Sequence, residues 1–198
     1  MSAGLAHLAP DQAQLVLATG KRGYGKTFFL RDWVNRFESR VLCFDLFRDY
    51  AGMLESDSVR AALVDLHYWG ACRRRVRPPL MGARAWAQAA FGEILEGRLR
   101  DCLIVLNEIG RLSRPQSTEE LDALVLQGRR LGLRIAADCQ RVALVPSVIL
   151  SEATTLVSFR VTRKLDLETL AEWSDETLSS VQAVVPSLAI GECVALDL

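Results

Sequence analysis

The stretch Leu15 to Leu30, LVLATGKRGYGKTFFL, constrains the chain more than any other. A strand-like apolar run, Leu15 to Ala18, ends at Thr19-Gly20. A short loop leads to Gly25-Lys26-Thr27, and a helix-like segment begins at Phe28. Gly20, Gly25, Lys26 and Thr27 together satisfy G-x-x-x-x-G-K-[ST]. Glycines let such a loop fold back with its N–H groups inward, a nest for β-phosphate oxygens. The helix behind it adds its positive N-terminal end. Lys26 can bridge β- and γ-phosphates as a point charge, and the Thr27 hydroxyl can ligate Mg²⁺. The alternative is a glycine-rich turn that matches by accident, and the strand–loop–helix context argues against it. The segment Gly20, Lys21, Arg22, Gly23, Tyr24, Gly25, Lys26, Thr27 and Phe28 therefore reads as a cradle for ATP and Mg²⁺.

With 198 residues, half of them hydrophobic, the chain can bury a core as one domain without staples. We expect a lead-in over residues 1–14 and one domain over 15–198. No apolar run is long enough to span a bilayer, and MSAGLAHLAPDQAQ lacks the basic start of a signal peptide. A soluble protein of the cytoplasm is the expectation. The 24 basic and 24 acidic residues cancel, so any nucleic-acid surface must be local. The five cysteines have no zinc-like spacing. Cys43, Cys102, Cys139 and Cys193 fall in apolar runs and read as small buried hydrophobes.

Along the chain, strands are expected at 15–19, 41–45, 101–108, 133–137, 155–161 and 192–196. Helices are expected at 27–38, 83–96, 119–131, 166–173 and 179–185. Residues 58–66 fit helix or strand equally. Arg73-Arg74-Arg75-Val76-Arg77 before Pro78-Pro79 reads as a basic loop. Asp101 to Glu108, DCLIVLNE, has the form of a Walker B strand, which sets an acid beside the phosphates. The alternation argues an α/β fold, a mostly parallel sheet with helices on both faces.

TGKRGYGKT, FDLFRDYAG, LIVLNEIGRL, QGRRLGLRIAADCQR and VPSVILSEATTLVSFRVTRKLD, with PSLAIGECVAL at the end, resemble the HerA/FtsK superfamily of ring-forming DNA-pumping ATPases. The resemblance leaves out only residues 1–14 and roughly 53–98. It implies a RecA-like P-loop NTPase fold. It implies that Glu108 polarises the attacking water and that Gln140 senses the γ-phosphate, against readings as an ordinary strand-end acid and amide. Asp45 and Asp49 match the acids after the second strand; they contact water or Mg²⁺, or simply make turns. Arg129 and Arg160 match positions for an arginine finger supplied by a neighbouring subunit, with Arg130 and Arg163 as competitors and a surface salt bridge as the plain alternative. One position departs: the acid expected before Glu108 is Asn107, an amide that can accept from a Mg²⁺-bound water but brings no charge. Either hydrolysis is weakened or Asp45 or Asp49 shares the role.

The resemblance further implies a homo-oligomer, a hexameric ring, acting on double-stranded DNA. Arg73, Arg74, Arg75 and Arg77, with Arg84 beyond, are candidates for phosphate contacts, or form a solvated charged loop. Stand-alone cores of this size resemble the genome-packaging ATPases of membrane-containing icosahedral viruses. That implies a capsid or membrane portal protein as partner, and a place in the host cytoplasm or the virion. The alternatives are a motor for protein export or filamentous phage assembly, and a nucleotide-gated assembly protein with weak hydrolysis.

Overall fold

The computed structural model describes residues 14–37, 40–196 and 198. Except for Gln14, the expected lead-in lies outside the described residues. In chain order the elements are β1 (Leu15–Thr19), α1 (Lys26–Asn35), β2 (Arg40–Phe44), β3 (Leu54–Glu55), α2 (Val59–Tyr68), β4 (Arg73–Val76), α3 (Ala83–Glu96) and β5 (Cys102–Leu106). There follow α4 (Ile109–Leu112), α5 (Glu119–Gly128), β6 (Arg134–Cys139), α6 (Ser147–Ser151), β7 (Thr155–Ser158), α7 (Lys164–Glu172), α8 (Leu178–Val184) and β8 (Val194–Leu196).

The strands form one sheet in the order β3-β4-β2-β5-β6-β1-β7-β8. Seven run parallel, and β8 closes the edge antiparallel to β7. The central strands β1 and β5 are buried along their whole length because both their faces are covered. Leu15, Leu17, Ile104 and Leu106 point into a large core with α2, α3, α5 and α7; Val16, Ala18, Leu103 and Val105 point the other way, onto Leu30, Trp33 and Val34 of α1. Helices on both faces of a mostly parallel sheet are what the alternation predicts. The parallel register also has a functional consequence: the loops after β1, β2, β5, β6 and β7 all leave from one edge of the sheet.

The structure decides the ambiguous segment 58–66 in favour of helix. Ser58 caps α2, its hydroxyl accepting the Ala61 N–H at 3.1 Å, and Val59, Ala62, Leu63 and Leu66 give a buried stripe of helical period. Elsewhere the expected strand over 155–161 stops at Ser158, and the first helix ends at Asn35. Cys193 precedes β8 and is only partly buried, unlike the other four cysteines.

The basic run is not a loop. Arg73 to Val76 form β4, paired with β2 and β3. Each arginine finds a partner that no local pattern announces. Arg73 donates to the Asn35 side chain and the Phe37 carbonyl, and Arg74 pairs with Asp65 of α2 at 2.9 Å. Arg75 bridges Asp45 at 3.2 Å and Glu55 at 2.9 Å, tying β3, β4 and the end of β2 together. Arg77 reaches Glu55 at 3.6 Å and keeps 42% of its side chain exposed.

Candidate active site

The loop after β1 is built on left-handed glycines: Gly20, Gly23 and Gly25 have φ of 143°, 82° and 108°. Gly20 is required twice over, because a Cβ there would lie 2.7 Å from the Phe159 Cβ. The loop is braced from its neighbours. The Gly20 N–H donates to the Cys139 carbonyl at 3.3 Å and the Lys21 N–H to the Arg160 carbonyl at 2.8 Å. From the C-terminal segment the Gly191 N–H donates to the Tyr24 carbonyl at 3.2 Å. Phe159 wedges between Gly20, Gly25 and the ring of Phe29. Gly25 caps α1, so the helix starts at Lys26, with Thr27 in its first turn. Lys26 is buried, and its ammonium spans the loop to the Lys21 carbonyl at 3.3 Å, using one of three donors. Phe28 turns outward, 70% exposed, under the Arg31 guanidinium.

Across β6 from this loop, β5 ends at Asn107 and Glu108. Glu108 sits in the left-handed region at φ 56°, unusual for a non-glycine residue, and opens the short helix α4. Its Oε1 accepts the Gln140 Nε2–H at 2.8 Å. The two residues stand on adjacent strand ends, and Gln140 is exposed while Glu108 is partly buried. The amide of Asn107 donates to Asp49 at 3.3 Å and to Asp138 at 3.4 Å; its Oδ1 is buried and has no partner. Asp45, fully buried, accepts the N–H groups of Asp49 and Tyr50 and the Arg75 guanidinium. That is turn-making. Asp49, carried by this turn, reaches Asn107.

No sequence motif singles out Asp138. It is buried at the end of β6, accepting the Glu108 N–H and one hydrogen of Asn107. Burial pushes its carboxyl up to about 7; the Glu108 N–H pulls it down, and the Glu108 charge adds to the rise. An acid inside the apolar run RIAADC was the available signal, since buried carboxylates are rare without a partner.

The two candidate fingers stand at opposite edges. Arg160 follows β7 beside its own chain's phosphate loop, 5.8 Å over the Tyr24 ring and 3.4 Å from its hydroxyl. Arg129 lies in the 3₁₀ turn after α5, exposed, in a groove with Leu15, Ile135 and Thr154 at the strands' starting ends. A five-residue strand separates that edge from the phosphate loop, about 17 Å. A groove of about 430 Å³ beside the loop is lined by Lys21, Arg22, Arg141 and Arg163. Its neighbour of about 250 Å³ carries Glu108, Gln140, Arg84 and Arg111. Gln140 and Arg141 line both.

These features fit a nucleoside triphosphate. The positive-φ glycines, the helix start at Lys26 and the flanking cations suit phosphates, and the orphaned Asn107 Oδ1 is an acceptor able to take a metal-bound water. Among the described residues no group of three or more His, Cys, Asp or Glu is arranged to hold a metal ion. No helix among them is long and apolar enough to cross a membrane.

No protein-family profile and no curated protein matches the chain. Solved structures do. The genome packaging NTPase B204 of Sulfolobus turreted icosahedral virus 2, in complex with AMP, superposes with a TM-score of 0.72 at 14% identity, covering 96% of this chain and 94% of that one. The bacterial conjugative coupling protein TrwB superposes at 0.66 with 12% identity, over 93% and 82%. VirB4 of Thermoanaerobacter pseudethanolicus superposes at 0.64 with 12% identity, over 98% and 91%. B204 has also been solved with ATP-γS, and TrwB with ADP and Mg²⁺. The chain shares the fold of these proteins over nearly its whole length, a RecA-like, mostly parallel sheet with helices on both faces.

Proposed function

We propose that this chain is a Mg²⁺-dependent ATPase that works as a ring, a hexamer, and drives double-stranded DNA, packaging a viral genome through a capsid or membrane portal. The observation that carries the reading is the Glu108–Gln140 pair, standing across one strand from a complete phosphate loop. In this reading the loop N–H groups and Lys26 hold the β- and γ-phosphates. Thr27 and Asn107 are the chain's contributions to Mg²⁺, which when bound neutralises charge on the phosphate oxygens. Glu108 orients a water for in-line attack, and Gln140, bonded to it, registers loss of the γ-phosphate. Arg129 has no path to its own site, so as a finger it serves the next subunit, making hydrolysis wait for assembly. Arg77, the exposed member of the basic run, and Arg84 are the proposed contacts to DNA phosphates, because a moving motor grips backbone rather than bases. The likeness to a genome packaging NTPase over 96% of the chain supports this setting.

The test is ATP hydrolysis with and without duplex DNA, alongside oligomeric mass. A packaging motor turns over ATP, accelerates with duplex and forms a ring. Turnover indifferent to DNA points to an export motor. No turnover by an assembled ring would overturn the enzymatic reading.

A further inference from the structure

The register places Leu106 opposite Ala137, so Asn107 stands level with Asp138 on the next strand. Asp138 is 1% exposed, and its Oδ1 accepts the Glu108 N–H at 2.5 Å and an Asn107 amide hydrogen at 3.4 Å. The same Asn107 amide nitrogen donates to Asp49 at 3.3 Å. One NH₂ group has two hydrogens, and here each carboxylate takes one. An aspartate at position 107 would replace this donor by a third carboxylate between the other two. Glu108 is meanwhile held at φ 56° and ψ 61°, a conformation that persists only where the surroundings fix it. Its N–H is fixed by Asp138, its carbonyl accepts the Arg111 N–H at 2.8 Å, and its carboxylate is fixed by Gln140.

We propose that Asp138 is a positioning residue that holds the Glu108 N–H from β6, and that Asn107 is an amide because it must donate to Asp138 and Asp49 at once. The departure at position 107 then supplies the donor this arrangement needs, where an aspartate would bring a third carboxylate. This rests on Glu108 being the acid of the hydrolytic site proposed above.

The test compares Asp138→Ala, Asp138→Asn and Asn107→Asp in the full chain. A misplaced Glu108 costs turnover without costing nucleotide affinity, so Asp138→Ala lowers kcat about ten- to a hundredfold. Binding of a fluorescent ATP analogue stays within about twofold of wild type. Asp138→Asn keeps an acceptor oxygen and recovers most of kcat. Asn107→Asp lowers kcat, although it recreates the acid the family pattern expects. Amide hydrogen exchange over residues 106–112 is the second readout: faster in Asp138→Ala, protected in Asp138→Asn. Wild-type kcat in Asp138→Ala, equal losses in kcat and affinity, or a faster enzyme from Asn107→Asp would each overturn the proposal. If the wild type does not turn over, the hydrolytic reading fails, and unchanged exchange in Asp138→Ala would then overturn the Asp138–Glu108 link.

Discussion

Gln140 donates its side-chain hydrogen to Glu108 across 2.8 Å, from the strand that separates the acid from the phosphate loop. The pair joins the end of β5 to the end of β6, and the Gly20 N–H joins the end of β6 to the loop through Cys139. A displacement at the phosphates therefore has a short mechanical route to the acid.

Glu108→Gln keeps the size of the side chain and removes the charge that would orient water in the proposed reaction. Turnover should fall at least about a hundredfold with ATP affinity retained, the scale of losing a positioned base. Gln140→Ala leaves the charge and removes its partner, so kcat should fall about tenfold with little change in KM. Steady-state kinetics of both variants checks the pair.

The opposite placements of Arg129 and Arg160 predict different behaviour in mixed rings. In the proposed ring, an Arg129→Ala subunit keeps its own site and lacks the group it would lend, whereas a Lys26→Ala subunit loses its site and could still lend Arg129. Mixing the two should restore turnover. Arg160 touches its own loop at Tyr24, so Arg160→Ala mixed with Lys26→Ala should stay inactive. Restoration in both mixtures, or in neither, would count against this division of labour.

Arg75 neutralises a fully buried Asp45. Arg75→Ala should cost about 3 kcal/mol, the low end for breaking a buried pair, because two N–H groups still hold Asp45. Arg77 is half in solvent, and Arg77→Ala should stay within about 0.5 kcal/mol of wild type. Urea unfolding of the two variants gives the comparison.

Gly20→Ala should destabilise by about 2–4 kcal/mol, since the new Cβ meets the Phe159 Cβ and backbone at a φ that disfavours it. Removing the Phe159 ring leaves those clashing atoms in place. The double variant with Phe159→Ala should therefore be no more stable than Gly20→Ala alone, measured by thermal unfolding.

The chain's local pattern was enough for the glycine-rich loop after β1, for β1, β5 and β6, for α3 and α5, and for the place of Glu108 after β5. Each of these is written in neighbouring residues: glycine spacing, buried apolar runs, a period of 3.6. Tertiary structure alone decided three other things. It turned Arg73 to Arg75 from a loop into a paired strand, because Asp45, Glu55, Asp65 and Asn35 arrive from other elements. It set Arg129 and Arg160 at opposite edges of the sheet. It also brought Asp138 beside Asn107 and Glu108, because β6 inserts between β1 and β5 although it follows both in sequence. Backbone conformation and burial are largely local and periodic, and so can be read along a chain. Which carboxylate meets which donor depends on strand order, fixed by packing between residues far apart in sequence.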